Sequence, residues 1–152
     1  MKNKILWGIL AVLVSFDNIY SYLAITQRGM REWNPIAGFF VGINPLYYFF
    51  SIPLSLGVFY FIVKALGWYS YKTEKSKKDL VKEFTERLAL TGIVIGWGLV
   101  ATFYNFWTFA NGFVNPPVRY NDFLIAAVLI LVSYVLYSAY DFSKKNKIKM
   151  GW

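Results

Sequence analysis

Residues 17–35, DNIYSYLAITQRGMREWNP, place an acid inside an apolar segment and end in a charged turn closed by a proline. Asp17 belongs to the apolar segment 5–26, which is 22 residues long and would form a helix of about 33 Å. The hydrocarbon core of a membrane is about 30 Å thick, so this helix is long enough to cross it. The sequence therefore predicts a transmembrane helix with Asp17 near its middle.

A carboxyl group at that depth is costly and needs a reason. The cost is about 2.5–3.5 kcal/mol on insertion scales, so Asp17 is expected to face other helices and to form hydrogen bonds, and desolvation favours its neutral form. Ser21 follows one turn later on the same helix face. Two interpretations remain open: a site that binds a proton or a cation, or a hydrogen-bond clamp between helices.

The rest of the chain repeats the apolar pattern. Of the 152 residues, 57% are apolar and 21% aromatic, which is too hydrophobic for an ordinary soluble domain. Further apolar segments cover residues 46–67, 88–109 and 122–141. We predict an all-α integral membrane protein with four transmembrane helices, forming one domain over residues 1–152. Residues 69–87 form the predicted cytoplasmic loop, of which 76–87 are expected to extend the third helix.

Cysteine and histidine are both absent from the sequence. Their absence excludes disulfides, thiolate nucleophiles, imidazole bases, histidine-ligated haem and the usual zinc sites. A catalytic site built only from carboxylates, lysines, tyrosines and serines is uncommon. The sequence therefore predicts a protein that is not an enzyme, with no catalytic residue, no metal site and no cofactor.

The net charge of +8 is concentrated at predicted helix ends. Of the 16 basic residues, only Arg28, Arg31 and Arg119 lie at one side of the predicted membrane, and the other 13 lie at the opposite side. This asymmetry is typical of the positive-inside rule, so we predict a multi-pass cell-membrane protein with both termini and loop 69–87 in the cytoplasm. The basic residues of segment 72–87 would attract anionic lipid headgroups. The membrane surface explains the charge, and no nucleic-acid partner is predicted.

Two Asn-Pro pairs, Asn34-Pro35 and Asn44-Pro45, bracket the apolar sequence IAGFFVGI. These eight residues are too short to cross a membrane and too apolar for an open loop. We predict a short helix over residues 35–42 in the outer leaflet, with the alternative that these residues begin the helix over 46–67.

Polar residues of other segments are expected near Asp17 or at the outer turn. Ser55 falls near the depth of Asp17, and Asn105 about a turn above it, where an amide can hydrogen-bond a carboxyl in either protonation state. At the outer turn, Glu32 is expected to accept hydrogen bonds from Asn34 or the adjacent backbone. The predicted site residues, for binding or for structure, are Asp17, Ser21, Glu32, Asn34, Ser55 and Asn105.

One motif within these residues resembles a known pattern. Asp17 and Ser21 are followed by GMREWNP at residues 29–35, and Asn105 follows in the third predicted helix. This combination resembles a family of small prokaryotic membrane proteins of unknown function, with an intramembrane Asp, a Ser or usually a Thr one turn later, and a Gly-x-x-Glu-x-Asn-Pro turn. The resemblance covers about 20 residues. It implies a four-helix prokaryotic membrane protein and implies no activity.

The sequence leaves two functions open. The first is a non-enzymatic accessory or assembly subunit, in which the predicted site residues around Asp17 fix the relative positions of the helices. The alternative is a small transporter or channel in which Asp17 binds a cation or a proton. The four predicted helices of one chain are too few to enclose a transport path, so the alternative requires an oligomer. A homo-oligomer or a membrane partner protein is therefore predicted alongside the lipid bilayer.

Overall fold

The computed structural model of the protein describes residues 2–30, 35–98, 102–112 and 120–146. Six α-helices form nearly all of these ranges: α1 Lys2–Arg28, α2 Pro35–Ile43, α3 Tyr47–Thr73, α4 Lys78–Trp97, α5 Phe103–Ala110 and α6 Tyr120–Asn146. The described residues contain no strand. The predicted all-α class is confirmed for this part of the chain.

The prediction of four transmembrane helices is wrong. Among the residues that the structure describes, three helices are long and apolar enough to cross a membrane, and they cover Asn3–Arg28, Tyr47–Thr73 and Leu124–Asn146. The segment predicted as the third span, 88–109, is divided between α4 and α5. The first ten residues of α4 have the polar sequence KDLVKEFTER, and α5 has only eight residues. Neither helix offers the roughly 20 apolar residues that a span needs.

The surface of the bundle agrees with a membrane setting. Large apolar side chains on α3 and α6 are strongly exposed, including Phe50 and Phe61, which are both 73% exposed, and Leu129, which is 63% exposed. A soluble monomer rarely exposes so much contiguous apolar surface. Together with the three candidate spans, this surface identifies the chain as a membrane protein.

The predicted short helix over 35–42 is present as α2, and it is separate from α3. Asn44 lies between the two helices, and its Oδ1 accepts a hydrogen bond from the backbone N–H of Leu46 at 2.9 Å. This turn uses an Asn side chain to replace a helical hydrogen bond. The alternative of one longer helix is therefore wrong, whereas the outer-leaflet position of α2 stays a prediction.

The predicted loop over 69–87 is mostly helical. α3 continues to Thr73 and α4 begins at Lys78, so only residues 74–77 connect them. The aromatic and basic residues beyond the apolar segment keep the helical conformation, since most of them are adequate helix formers. The expected helical extension before residue 88 is confirmed from residue 78 onward.

α1 and α3 pack antiparallel. Near the start of α1, the rings of Trp7 and Tyr60 have centroids 5.9 Å apart. Near its end, the centroids of Tyr22 and Phe49 are 5.2 Å apart. The contacts therefore run in opposite directions along the two helices.

α4 and α5 run parallel to α1. The buried core joins Leu10 and Val14 of α1 to Val63 of α3 and Leu90 of α4. Further along α1, Tyr20 reaches α5 through a hydrogen bond described below. α4 therefore covers the first half of α1 and α5 the second half.

α6 packs against α4 in the opposite direction. The rings of Phe84 and Phe142 are stacked, with centroids 3.8 Å apart, and Lys77 Nζ donates to the carbonyl oxygen of Asn146 at 2.6 Å. The first turn of α1, the α3–α4 connection and the last turn of α6 consequently lie at one end of the bundle. We call this the basic end, formed by residues 2–4, 72–87 and 142–146.

Candidate functional site

Asp17 and Asn105 are joined directly. Asn105 Nδ2 donates a hydrogen bond to Asp17 Oδ1, which links α1 to α5. Both residues are half-buried, and the neighbouring rings of Phe16 and Phe106 lie beside them with centroids 6.2 Å apart. The structure thus brings together two of the predicted site residues that are 88 positions apart in the chain.

A second pair links α1 to α3. Asn18 and Ser51 are both buried, and the Ser51 hydroxyl donates to Asn18 Oδ1. The same hydroxyl lies 2.7 Å from the carbonyl oxygen of Tyr48, and its single proton serves one of these acceptors at a time. Asn18 Nδ2 donates to the carbonyl oxygen of Val14 at 2.8 Å, so both the nitrogen and the oxygen of this amide form hydrogen bonds.

A third pair links α1 to α5 one turn beyond the first. Tyr20 OH donates to Thr108 Oγ1 at 2.8 Å, and Thr108 is only 2% exposed. Thr108 Oγ1 in turn lies 2.9 Å from the carbonyl oxygen of Tyr104, to which it donates. This threonine therefore accepts from α1 and donates to its own helix.

Helix geometry explains why these pairs form. Asp17 and Tyr20 are three residues apart on α1, and Asn105 and Thr108 are three residues apart on α5. Residues at i and i+3 share a helix face, so two parallel helices with this spacing can form two successive bridges about 4.5 Å apart along the axis. Asn18 is rotated by about 100° from Asp17 and therefore points toward α3 instead.

We call the six residues of these three pairs the polar cluster; they are Asp17, Asn18, Tyr20, Ser51, Asn105 and Thr108. Of them, the sequence predicted Asp17 and Asn105. The matching i, i+3 spacing on the two helices was the signal that could have revealed Tyr20 and Thr108.

The other predicted site residues lie elsewhere. Ser21 and Ser55 are half-buried, and neither belongs to the three pairs described above. Ser51 takes the role expected of Ser55, one helical turn away on the same face. The prediction counted depth along the apolar segment, and a one-turn error amounts to only about 5.4 Å. Glu32 and Asn34 lie outside the described residues.

A partly buried ion pair lies on the side of the polar cluster toward the basic end. Glu86 of α4 is 7% exposed, and its Oε2 lies 2.6 Å from Nζ of Lys64 on α3. The Lys64 side chain is 46% exposed, so the ion pair joins a buried carboxylate to a partly exposed lysine. Glu86 Oε1 has no hydrogen-bond partner among the described residues.

Gly67 of α3 makes room for this carboxylate. A Cβ atom at position 67 would lie 2.8 Å from Glu86 Oε1 and 3.0 Å from its Cδ. The nearest atom to this added Cβ would be Cγ of Glu86, so the Glu86 side chain occupies the space that the glycine leaves open. The ion pair and the glycine together hold α3 close to α4.

The chemistry of the polar cluster is that of hydrogen bonding with one ionisable member, Asp17. Within the described ranges, no three acidic side chains come close enough to hold a metal ion. The six side chains pair with one another across three helices. The arrangement suits a fixed junction between helices.

Comparisons of the chain with protein-family models, curated proteins and solved structures find no match. The resemblance to the prokaryotic membrane protein family therefore stays a prediction.

Proposed function

We propose that the protein is a non-enzymatic membrane protein, an accessory or assembly subunit whose polar cluster fixes the relative positions of α1, α3 and α5. The observation that carries this proposal is the pairing of every residue of the cluster with a side chain of another helix. Lipid is as apolar as the helix surfaces, so hydrogen bonds and close packing decide how helices associate in a membrane. Each bond contributes about 0.6–2 kcal/mol there.

A subunit of this kind needs a partner, and the lipid-facing surface provides room for one. The exposed aromatic residues of α3 and α6 suit either acyl chains or the helices of another membrane protein, including a second copy of this chain. Anionic lipid headgroups are the proposed partner of the basic residues in segment 72–87.

We propose that both termini lie in the cytoplasm. The support is the common location of the first turn of α1, the α3–α4 connection and the last turn of α6 at the basic end. Most basic residues of the chain belong to that end, as the positive-inside rule requires of the cytoplasmic side.

Asp17→Asn tests the proposed structural role. The variant keeps an oxygen that can accept the hydrogen bond of Asn105 Nδ2, but it cannot ionise. A structural clamp should melt within about 2 °C of the parent, equivalent to less than about 1 kcal/mol. Its melting temperature should also respond to sodium, potassium and pH in the same way as the parent. A response that disappears only in this variant would contradict the structural role.

The second candidate function is a small oligomeric transporter or channel. The observation that favours it is the ionisable carboxyl of Asp17 in the middle of a candidate span, since intramembrane acids often bind protons or cations. This function requires more helices than one chain provides to enclose a path. A detergent-corrected mass equal to one chain would count against it, and the partners recovered in a gentle pull-down would support the subunit proposal.

A further inference from the structure

A long apolar groove runs along one side of α4. Its floor follows α4 from Thr85 to Trp97 and includes the small residues Ala89, Gly92 and Gly96. One wall is formed by Phe59, Ile62 and Leu66 of α3. The other wall is formed by residues 131 and 135 of α6, which packs mainly against α4 and so stands away from α3. The groove has a volume of about 520 Å³.

The dimensions of the groove suit a single hydrocarbon chain. Its floor spans thirteen residues of helix, or twelve rises, and is therefore about 18 Å long, close to the 15 Å depth of one membrane leaflet.

The groove begins at the basic end of the bundle. Lys78 precedes Thr85 by seven residues and Lys82 precedes Ala89 by seven, so both lysines continue the groove face of α4 beyond its end. Their Nζ atoms lie 5.6 and 5.9 Å from the ring centroid of Tyr71 on α3. Both lysine side chains therefore lie near Tyr71, in the part of α3 that leads to the connection with α4.

We propose that this groove is a binding site for an anionic phospholipid, with one acyl chain along α4 and the phosphate between Lys78 and Lys82. The positive charge at the mouth complements the headgroup, and the apolar floor and walls complement the chain. The proposal rests on the proposed anionic-lipid partner of segment 72–87, for which it assigns one specific site, and it is independent of the role of the polar cluster.

The test is native mass spectrometry of the full chain taken from vesicles of phosphatidylcholine and phosphatidylglycerol. The parent should retain one phosphatidylglycerol per chain in preference to phosphatidylcholine. Lys78→Gln combined with Lys82→Gln should weaken this retention by about 30-fold, since each lysine contributes about 1 kcal/mol near an anionic surface. Lys72→Gln combined with Lys75→Gln removes the same charge elsewhere at the basic end and should retain the lipid. Equal losses in both double variants would overturn the site.

Filling the groove provides an independent test. A Cβ atom at Gly96 meets no atom within 4 Å, so Gly96→Phe places a ring in the groove without a clash at its first carbon. Retention of phosphatidylglycerol should fall at least tenfold in this variant. Gly8→Phe is the matched control, because its Cβ also meets nothing within 4 Å and its helix does not line the groove. Full lipid retention in Gly96→Phe would overturn the proposal. If this variant instead lost a dimer of the chain and kept the lipid, the groove would be an interface between two copies, which would also overturn the proposal.

Discussion

Gly67→Ala should destabilise the protein because there is no space for a methyl group between α3 and α4. The added Cβ would lie 2.8 Å from Glu86 Oε1 and 3.0 Å from its Cδ, whereas carbon atoms in good contact are about 3.5–4.0 Å apart. Glu86 is 7% exposed, and its other oxygen is held by Lys64 Nζ at 2.6 Å. The carboxylate can therefore move only by giving up the ion pair or by pushing the helices apart.

The expected loss can be bounded from these contacts. Overpacking costs about 1–3 kcal/mol. Alanine is a better helix former than glycine by about 1 kcal/mol, which offsets part of this cost. The net loss is therefore up to about 2 kcal/mol, which lowers the melting temperature of a chain of this size by up to about 8 °C. Relative to a glycine-to-alanine substitution that meets no clash, the loss is the full overpacking cost of about 1–3 kcal/mol.

Thermal melting followed by circular dichroism in detergent micelles measures this loss. Gly57→Ala on the same helix is the matched control, because its Cβ would meet no atom within 4 Å and the variant should melt at or above the parent. In a Glu86→Ala background, Gly67→Ala should cost little, because the clashing carboxylate is gone. Equal melting temperatures for Gly67→Ala and Gly57→Ala would refute the close α3–α4 packing.

Three further predictions concern the cluster and the orientation of the chain. Ser51→Ala should lower the free energy of unfolding by about 1–3 kcal/mol, because an amide oxygen on α1 loses its donor, whereas Ser55→Ala should be close to neutral in the same denaturation assay. Tyr20→Phe and Thr108→Val should be non-additive by about 0.6 kcal/mol in a double-mutant cycle, and additivity would mean that their hydroxyl groups do not meet. Ser76→Cys, the only thiol in an otherwise cysteine-free chain, should react with a membrane-impermeant maleimide in cells only after permeabilisation, and labelling of intact cells would contradict the cytoplasmic basic end.

Apolar segments and isolated polar residues were predictable from the sequence. Asp17 and Asn105 each lie in an otherwise apolar segment, and the cost of leaving them in lipid is enough to predict that they find polar partners. The residues 5–26 also predicted α1 well, because a strongly apolar segment of that length leaves few alternatives.

The prediction of a third membrane span was wrong for a physical reason. Residues 88–109 are apolar enough as a segment, but hydropathy does not reveal where a helix begins or ends. α4 begins at Lys78, and the helices on either side of residues 99–101 are each too short or too polar to cross alone.

Rotation around the helix axis explains the missed contacts. Glu86 lies in a basic segment, where charged residues are usually solvated, yet its face of α4 is covered by Gly67 of α3. Ser51 and Ser55 both lie at a membrane depth that suits a contact with the polar residues of α1. Only the packing of α3 against Asn18 shows that Ser51 makes this contact. Sequence reasoning gives the depth of a residue more readily than the helix that it faces.

The double-mutant cycle between Asp17 and Asn105 tests the central claim most directly. The free energy of unfolding is measured for the parent, Asp17→Leu, Asn105→Leu and the double variant under one set of detergent conditions. A clamp between α1 and α5 predicts a coupling of at least about 0.5 kcal/mol, because either single variant already removes the shared hydrogen bond. Strict additivity would show that the two side chains do not interact and would contradict the proposed polar cluster.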